Sequence, residues 1–288
     1  MEGVVYLQPG SVAEASGFLT SYPGARLLAG GTDLVLAMER KKVTPSHLVD
    51  LSGVPGINSI SYQEGKLHLG SMVTIQELVD SPVIKEKFPV IASAASWLGC
   101  WQVRNRATLG GNLANAAPSA EMAPPLMALG AMVKIAGSKG ERVLPLEEFF
   151  TGPGQTVLQP GEIMTEVVVA DQPAGARSIY LRHALRKSMD ISLSNAAVSL
   201  TLAGDTVTGA RVVLGAVAPT PIRSRAAEAA LAGRKPDSEV IAAAAAAAAG
   251  ECRPITDVRA TAEYRREMIE VLVRRALNSI LKPEGGDQ

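Results

Sequence analysis

Two segments of this chain repeat one arrangement: an apolar run, a glycine pair, then a polar residue able to open a helix. The first is Leu27-Leu28-Ala29-Gly30-Gly31-Thr32-Asp33-Leu34. The second is Thr108-Leu109-Gly110-Gly111-Asn112-Leu113-Ala114-Asn115. Glycine adopts backbone angles closed to other residues and lets a ligand approach its amides closely. A helix starting just beyond such a bend presents unpaired N–H groups and a partial positive charge, which suits a phosphate. The second segment adds the Thr108 hydroxyl and the side-chain amides of Asn112 and Asn115. A glycine pair standing alone reads first as a plain turn. Two of the same kind, each able to hold one phosphate, point to a diphosphate. Neither segment is G-x-x-x-x-G-K-[ST] or G-x-G-x-x-G, and Gly152-Pro153-Gly154 departs from the latter at Gln155-Thr156-Val157. A nucleotide bound here is therefore held by an uncommon arrangement.

The surrounding pattern predicts alternating strands and helices. Val4 to Leu7, Arg26 to Ala29 and His47 to Leu51 read as strands. Between them, Ser11 precedes one helix, and Thr32 or Asp33 can cap another carrying Leu34, Ala37 and Met38. Such short links favour parallel pairing. From Gly53 the pattern changes to hairpins, one across Gln63-Glu64-Gly65 and one across Gly137-Ser138-Lys139-Gly140. Thr74-Ile75-Gln76-Glu77 spells a capping box, and Pro82 and Pro89 each suit a helix start, the second running to Trp97. Glu162 to Ala170 reads as a strand with Ile163, Val167 and Val169 on one face. Asp171-Gln172-Pro173-Ala174-Gly175 is the expected domain boundary. Strands follow near Ser178–Arg182, Leu193–Leu202 and Ala210–Val217, joined by turns such as Gly204-Asp205. The eight alanines from Ala242 to Ala249 predict a tightly packed helix. Asp257 to Leu281 predicts a long amphipathic helix. Tyr264, Met268, Val271, Leu272 and Ile280 fall on one side, and its arginines with nearby Glu form a solvated face. The tail from Pro283 is expected to fray.

Composition narrows the function classes. Lys+Arg and Asp+Glu are 28 each, which argues against a nucleic-acid or membrane-surface binder. No apolar run reaches the roughly 20 residues that span a bilayer, and the first nine residues lack the features of a secretory signal. Only Cys100 and Cys252 are present, too few for a disulfide framework or a four-thiolate iron–sulfur site. His47, His68 and His183 are far apart, without metal-ligand spacing. A cytoplasmic setting is the expectation.

Ala-Gly-Gly-Thr-Asp-Leu at 29–34 and Ala-Thr-Leu-Gly-Gly-Asn-Leu-Ala-Asn-Ala at 107–116 resemble the FAD-binding subunit of the molybdenum hydroxylases, the family of xanthine dehydrogenase, aerobic carbon monoxide dehydrogenase and 4-hydroxybenzoyl-CoA reductase. The resemblance extends to 124–131, to Gln159-Pro160-Gly161-Glu162-Ile163, and to Asp257-Val258-Arg259-Ala260 with Glu263-Tyr264-Arg265. It implies an α+β fold. A small α/β subdomain (about 1–53) and a mixed subdomain with an antiparallel sheet (54–172) would hold FAD between them. A C-terminal domain (173–288) would pair a three-stranded antiparallel sheet with helices. Leu28 to Leu34 and Thr108 to Asn112 would wrap the FAD diphosphate from two sides. Glu121 stands where the family commonly has Asp near the cofactor's sugar. Met164 aligns with an apolar residue beside the nucleotide, Arg182 with a flavin-contacting Lys of some relatives, and Ile191 with a residue facing the isoalloxazine ring.

By residue type alone, Met164 and Ile191 are also ordinary core residues. Arg182 reads equally as a surface cation and Glu121 as a favourable charge at a helix start. Trp97 and Trp101 read as core, Cys100 as packing, and His183 has no visible partner. If FAD binds, its ring carries the redox chemistry and the protein supplies position and electrostatics. The resemblance then implies an electron-transfer subunit of an oxidoreductase heterotrimer, or its dimer. A small partner would carry iron–sulfur clusters, a large partner the molybdenum cofactor, and NAD+ or a quinone would be the acceptor. The alternatives are a flavin oxidoreductase acting alone on its own small substrate, and a non-catalytic nucleotide-binding module.

Overall fold

The computed structural model describes residues 3–281, so the tail from Pro283 lies outside the described residues. The chain opens with β1 (Val5–Leu7), α1 (Val12–Ser21), β2 (Ala25–Leu28), α2 (Leu34–Glu39) and β3 (His47–Asp50). The strands pair in parallel in the order β1-β3-β2, as the alternating pattern predicts. Ser11 caps α1 by accepting from the Glu14 amide at 3.1 Å. Asp33 occupies the cap position of α2, but neither it nor Thr32 makes a side-chain cap bond among the described residues.

A five-stranded antiparallel sheet follows, in the order β4-β5-β10-β6-β7. Its strands are β4 (Ile60–Gln63), β5 (Lys66–Gly70), β6 (Met132–Gly137), β7 (Gly140–Pro145) and β10 (Ile163–Ala170). A small β8 (Phe150–Gly152) and β9 (Gln155–Thr156) ribbon precedes the last of these. Glu64 and Gly65 both have positive φ, the signature of a two-residue hairpin turn whose twist matches its strands. Between β5 and β6 run α3 (Ile75–Asp80), α4 (Pro82–Lys87), α5 (Pro89–Trp97), α6 (Trp101–Arg104), α7 (Leu109–Ala114) and α8 (Ala123–Ala128). The Thr74–Glu77 capping box is formed, with both reciprocal bonds in place.

One strand face differs from the alternating reading. Register shifts between Met164 and Glu166, leaving Thr165 as an extra residue against β6. A bulge reverses side-chain parity. Met164, Val167 and Val169 therefore share the main core, while Ile163 turns to the other face and packs with Ala15, Val49 and Leu51 of the small subdomain. The bulge lets one strand serve both subdomains.

The C-terminal part contains β11 (Arg177–His183), β12 (Ser194–Ala203), β13 (Thr206–Gly215), β14 (Ile222–Arg223), α9 (Arg225–Leu231), α10 (Ser238–Glu251) and α11 (Ala262–Leu281). The three expected antiparallel strands are joined by the two-residue β14. One sheet face, through Ala197 and Val213, continues the main core, and the other packs on α9 to α11. The alanine run does form a helix, with Ala244, Ala245 and Ala248 buried.

The last helix begins at Ala262, not Asp257. The Asp257 carboxylate accepts from the amides of Arg259 (2.8 Å) and Ala260 (3.3 Å), local bonds that compete with helical ones. The expected burial face is also corrected. Ile269, Leu272, Val273, Ala276, Leu277 and Ile280 are buried, Tyr264 is exposed, and Arg265 is buried among them. Its guanidinium donates to the Leu193 carbonyl (2.7 Å) and to Asp257 (2.8 Å), which removes Arg265 from the solvated face.

Candidate functional site

A cleft of about 950 Å³ lies between the small parallel sheet and the antiparallel sheet. Both glycine-pair segments border it, through Ala29–Leu34 on one side and Thr108, Gly110, Gly111 and Asn112 on the other. Leu27, Met72, Leu158 and Met164 supply apolar wall.

Close backbone packing brings the two segments together. A Cβ added at Gly30 would lie 1.8 Å from the Arg106 carbonyl oxygen, so only glycine lets the first loop rest against the residues leading into the second. A Cβ at Gly110 would lie 2.7 Å from the Ser71 carbonyl oxygen. Gly31 turns the first loop with φ +75°, the left-handed region that glycine occupies without strain.

The loops differ in what they offer a ligand. In the first, the amides of Gly30, Gly31, Thr32, Asp33 and Leu34 donate to no acceptor among the described residues; Val35 is the first amide bonded back, to Gly31. In the second, the backbone is already committed. Leu109 N donates to Val73 O (2.9 Å), Gly110 N to Ser71 O (2.7 Å), Gly111 N to Thr108 Oγ1 (3.0 Å) and Asn112 N to Thr108 O (2.9 Å). The second loop therefore offers side chains: the Thr108 hydroxyl proton and the Asn112 NH2 group, whose Oδ1 accepts from the Met122 amide at 3.3 Å. A row of free amides facing hydroxyl and amide donors fits a diphosphate, and the apolar walls fit aromatic rings.

The remaining sequence-predicted residues are placed differently. Leu28 and Leu109 do not line the cleft, and Leu109 is fully buried in the main core. Glu121, Arg182 and Ile191 also stand outside the lining. Arg182 is not a surface cation: its side chain is 3% exposed and its Nη1 lies 2.8 Å from Glu121 Oε1. Glu121 also accepts from Ser192 Oγ (2.8 Å) and from the Tyr180 hydroxyl. Burial pushes the Glu121 carboxyl up, against the pull of Arg182 and the hydroxyl donors. Burial, then the adjacent Glu121 charge, pushes the Tyr180 phenol far up, so it stays a donor. Tyr180 and Ser192 escape sequence reasoning, because only tertiary packing brings them to Glu121.

Trp97 and Trp101 are exposed, not core, and Ile191 is exposed as well. Cys100 is half-buried, while burial pushes the Cys252 thiol up to about 12. His183 has a partner after all, its Nε2 lying 3.0 Å from the Tyr264 hydroxyl.

Comparison with known proteins shows the family. The family described as "FAD binding domain in molybdopterin dehydrogenase" matches residues 2–171, and "CO dehydrogenase flavoprotein C-terminal domain" matches 179–280. This chain belongs to the FAD-binding subunits of the molybdenum hydroxylases. It is an oxidoreductase subunit, and its cofactor is FAD. The carbon monoxide dehydrogenase medium chain of Hydrogenophaga pseudoflava is 34% identical over 275 residues, 95% of this chain and 96% of that one. The xanthine dehydrogenase FAD-binding subunit of Escherichia coli O157:H7 is 30% identical, over 98% of this chain and 97% of that one. Among solved structures, carbon monoxide dehydrogenase from Hydrogenophaga pseudoflava superposes with a TM-score of 0.94 at 34% identity, covering 96% of each chain. Quinoline 2-oxidoreductase from Pseudomonas putida 86 gives 0.91 at 31% identity, again over 96% of each chain.

Proposed function

We propose that this chain is the electron-transfer flavoprotein of a molybdenum hydroxylase complex, relaying electrons between iron–sulfur clusters on a small partner and an acceptor such as NAD+ or a quinone. The large partner would carry the molybdenum cofactor and the substrate. The observation that carries this reading is the cleft, with free amides on one side, side-chain donors on the other and apolar walls. Bound FAD supplies the redox chemistry, since its ring exchanges electrons with both one-electron and two-electron partners.

The chain's own residues hold and orient it. The amides of Gly30 to Leu34 donate to the diphosphate, and the side chains of Thr108 and Asn112 meet it from the other side. Met164 packs against the nucleotide, and Arg182 and Ile191 border the flavin end. Glycine at 30 and 110 keeps the two loops close enough to act on one ligand. The FAD-binding domain ends near residue 172, where the C-terminal domain begins. No helix among the described residues is long and apolar enough to cross a membrane, and the thiol usage fits a cytoplasmic setting.

The test is to purify the complex, strip this chain from it, and compare reduction of the physiological acceptor. Loss on removal and recovery on adding back the FAD-loaded chain support the relay. Undiminished acceptor reduction refutes it. Turnover of an organic substrate by the chain alone would favour a self-sufficient flavin enzyme.

A further inference from the structure

Glu121 was expected beside the cofactor's sugar, yet protein donors claim both of its oxygens. Oε1 accepts from Arg182 Nη1 and Ser192 Oγ, each at 2.8 Å, and Oε2 accepts from the Tyr180 hydroxyl. The side chains of Glu121 and Arg182 are 7% and 3% exposed. Glu121 belongs to the segment between α7 and α8, whereas Tyr180 and Arg182 lie on β11 and Ser192 precedes β12. The cluster thus joins the FAD-binding domain to the C-terminal domain.

Its contacts extend further on both sides. Arg182 also donates to the carbonyls of Trp97 and Asp190, each at 3.1 Å, and its guanidinium carbon lies 5.3 Å from the Trp97 ring centroid. The Arg182 fork therefore fixes the residue before Ile191 against the end of α5. On the other side, the residue after Glu121 gives its amide to Asn112 Oδ1, and Asn112 lines the cleft.

Resting on the FAD reading above, we propose that Glu121, Tyr180, Arg182 and Ser192 form an interdomain clasp that holds the second diphosphate loop and the flavin-end loop in register. Glu121 is a positioning residue in it and not a ligand of the cofactor. A carboxylate this buried needs charged and hydroxyl donors around it, and these four groups satisfy one another. Glutamate's extra methylene matters here. An aspartate at 121 would start one carbon further back, and its carboxylate would not reach all three donors together.

The test uses the full chain in its assembled complex, as wild type, Glu121→Gln, Tyr180→Phe, Ser192→Ala and the Glu121→Gln/Tyr180→Phe double variant. Two quantities are read: affinity of the cofactor-stripped protein for ADP, which lacks the flavin and ribityl parts, and iodide quenching of flavin fluorescence after loading with FAD. The clasp predicts weakened ADP affinity in every single variant, Tyr180→Phe and Ser192→Ala included, because each releases the loop that carries Asn112. It also predicts increased quenching in each single variant, with the double variant no more quenched than Glu121→Gln alone, because members of one network are not additive. Weakened ADP binding confined to variants carrying Glu121→Gln would make Glu121 a direct ligand and overturn the proposal, as would unchanged ADP affinity or unchanged quenching throughout. If Glu121→Gln does not fold, Tyr180→Phe and Ser192→Ala decide between the same outcomes. Failure of the wild-type protein to take up FAD would instead defeat the cofactor reading itself.

Discussion

Replacing Gly30 by alanine sets a methyl carbon 1.8 Å from the Arg106 carbonyl oxygen and 2.6 Å from its carbon. Both are backbone atoms, so no side-chain rotation relieves the overlap. Carbon contacts below 3.0 Å are essentially never made, so the loops must part by more than an ångström. Hydrogen bonds to phosphate oxygens work over only about 2.7–3.2 Å between heavy atoms. A separation of that size takes at least one donor of the proposed diphosphate grip out of range. A hydrogen bond to a charged group contributes about 1.5–3 kcal/mol, which corresponds to a roughly tenfold to hundredfold rise in the FAD dissociation constant. The overlap itself costs about 1–3 kcal/mol of stability. Titration of cofactor-stripped protein with FAD, followed by flavin fluorescence, measures the first effect, and urea denaturation the second. A Gly30→Ala protein with wild-type FAD affinity and stability would refute the idea that the two loops must touch.

Other outcomes follow from the same geometry. Gly17→Ala, on an exposed turn of α1 with nothing within 4 Å of the new methyl, should raise stability by about 0.5–1 kcal/mol in urea denaturation without changing FAD affinity. Burial alone would push the Asp257 carboxyl up, but the Arg259 amide, the Arg265 guanidinium and the Ala260 amide outweigh it and hold it down at about 2. An unfolded aspartate titrates near pH ~3.9, so this contribution is complete above that pH and is lost as pH falls toward 2. The stability gap between wild type and Asp257→Asn should therefore shrink between pH 5 and pH 2 by roughly the whole of that contribution; a constant gap would contradict the assignment. Arg265→Met leaves the Leu193 carbonyl without its donor and should cost about 1–3 kcal/mol, read as a lowered urea midpoint.

Features set by local chemistry were legible in the sequence. The capping box at Thr74, the proline starts at 82 and 89, and the helical alanine run all depend on residues within a few positions of one another. So did the paired glycine segments, because strand, bend and helix start are local. What the sequence could not convey was tertiary. The bulge at Thr165 reverses the facing of Ile163, and a period-two reading has no means of detecting an inserted residue. Arg265 resembled its solvated neighbours on α11, because the Leu193 carbonyl that captures it lies 72 positions away. The two glycine pairs looked equivalent, yet Ser71, Val73 and Thr108 consume the amides of one and leave those of the other free. Glu121 and Arg182 could not be paired from the sequence, since the C-terminal sheet must first pack on the FAD-binding domain.

The central claim is that the twin glycine loops grip the FAD diphosphate. The most direct measurement is a crystal structure of the FAD-loaded chain. The phosphate oxygens should lie within about 2.7–3.2 Å of amides between Gly30 and Leu34, with Thr108 or Asn112 donating from the opposite side. Phosphates resting elsewhere, with those amides facing only solvent, would contradict it.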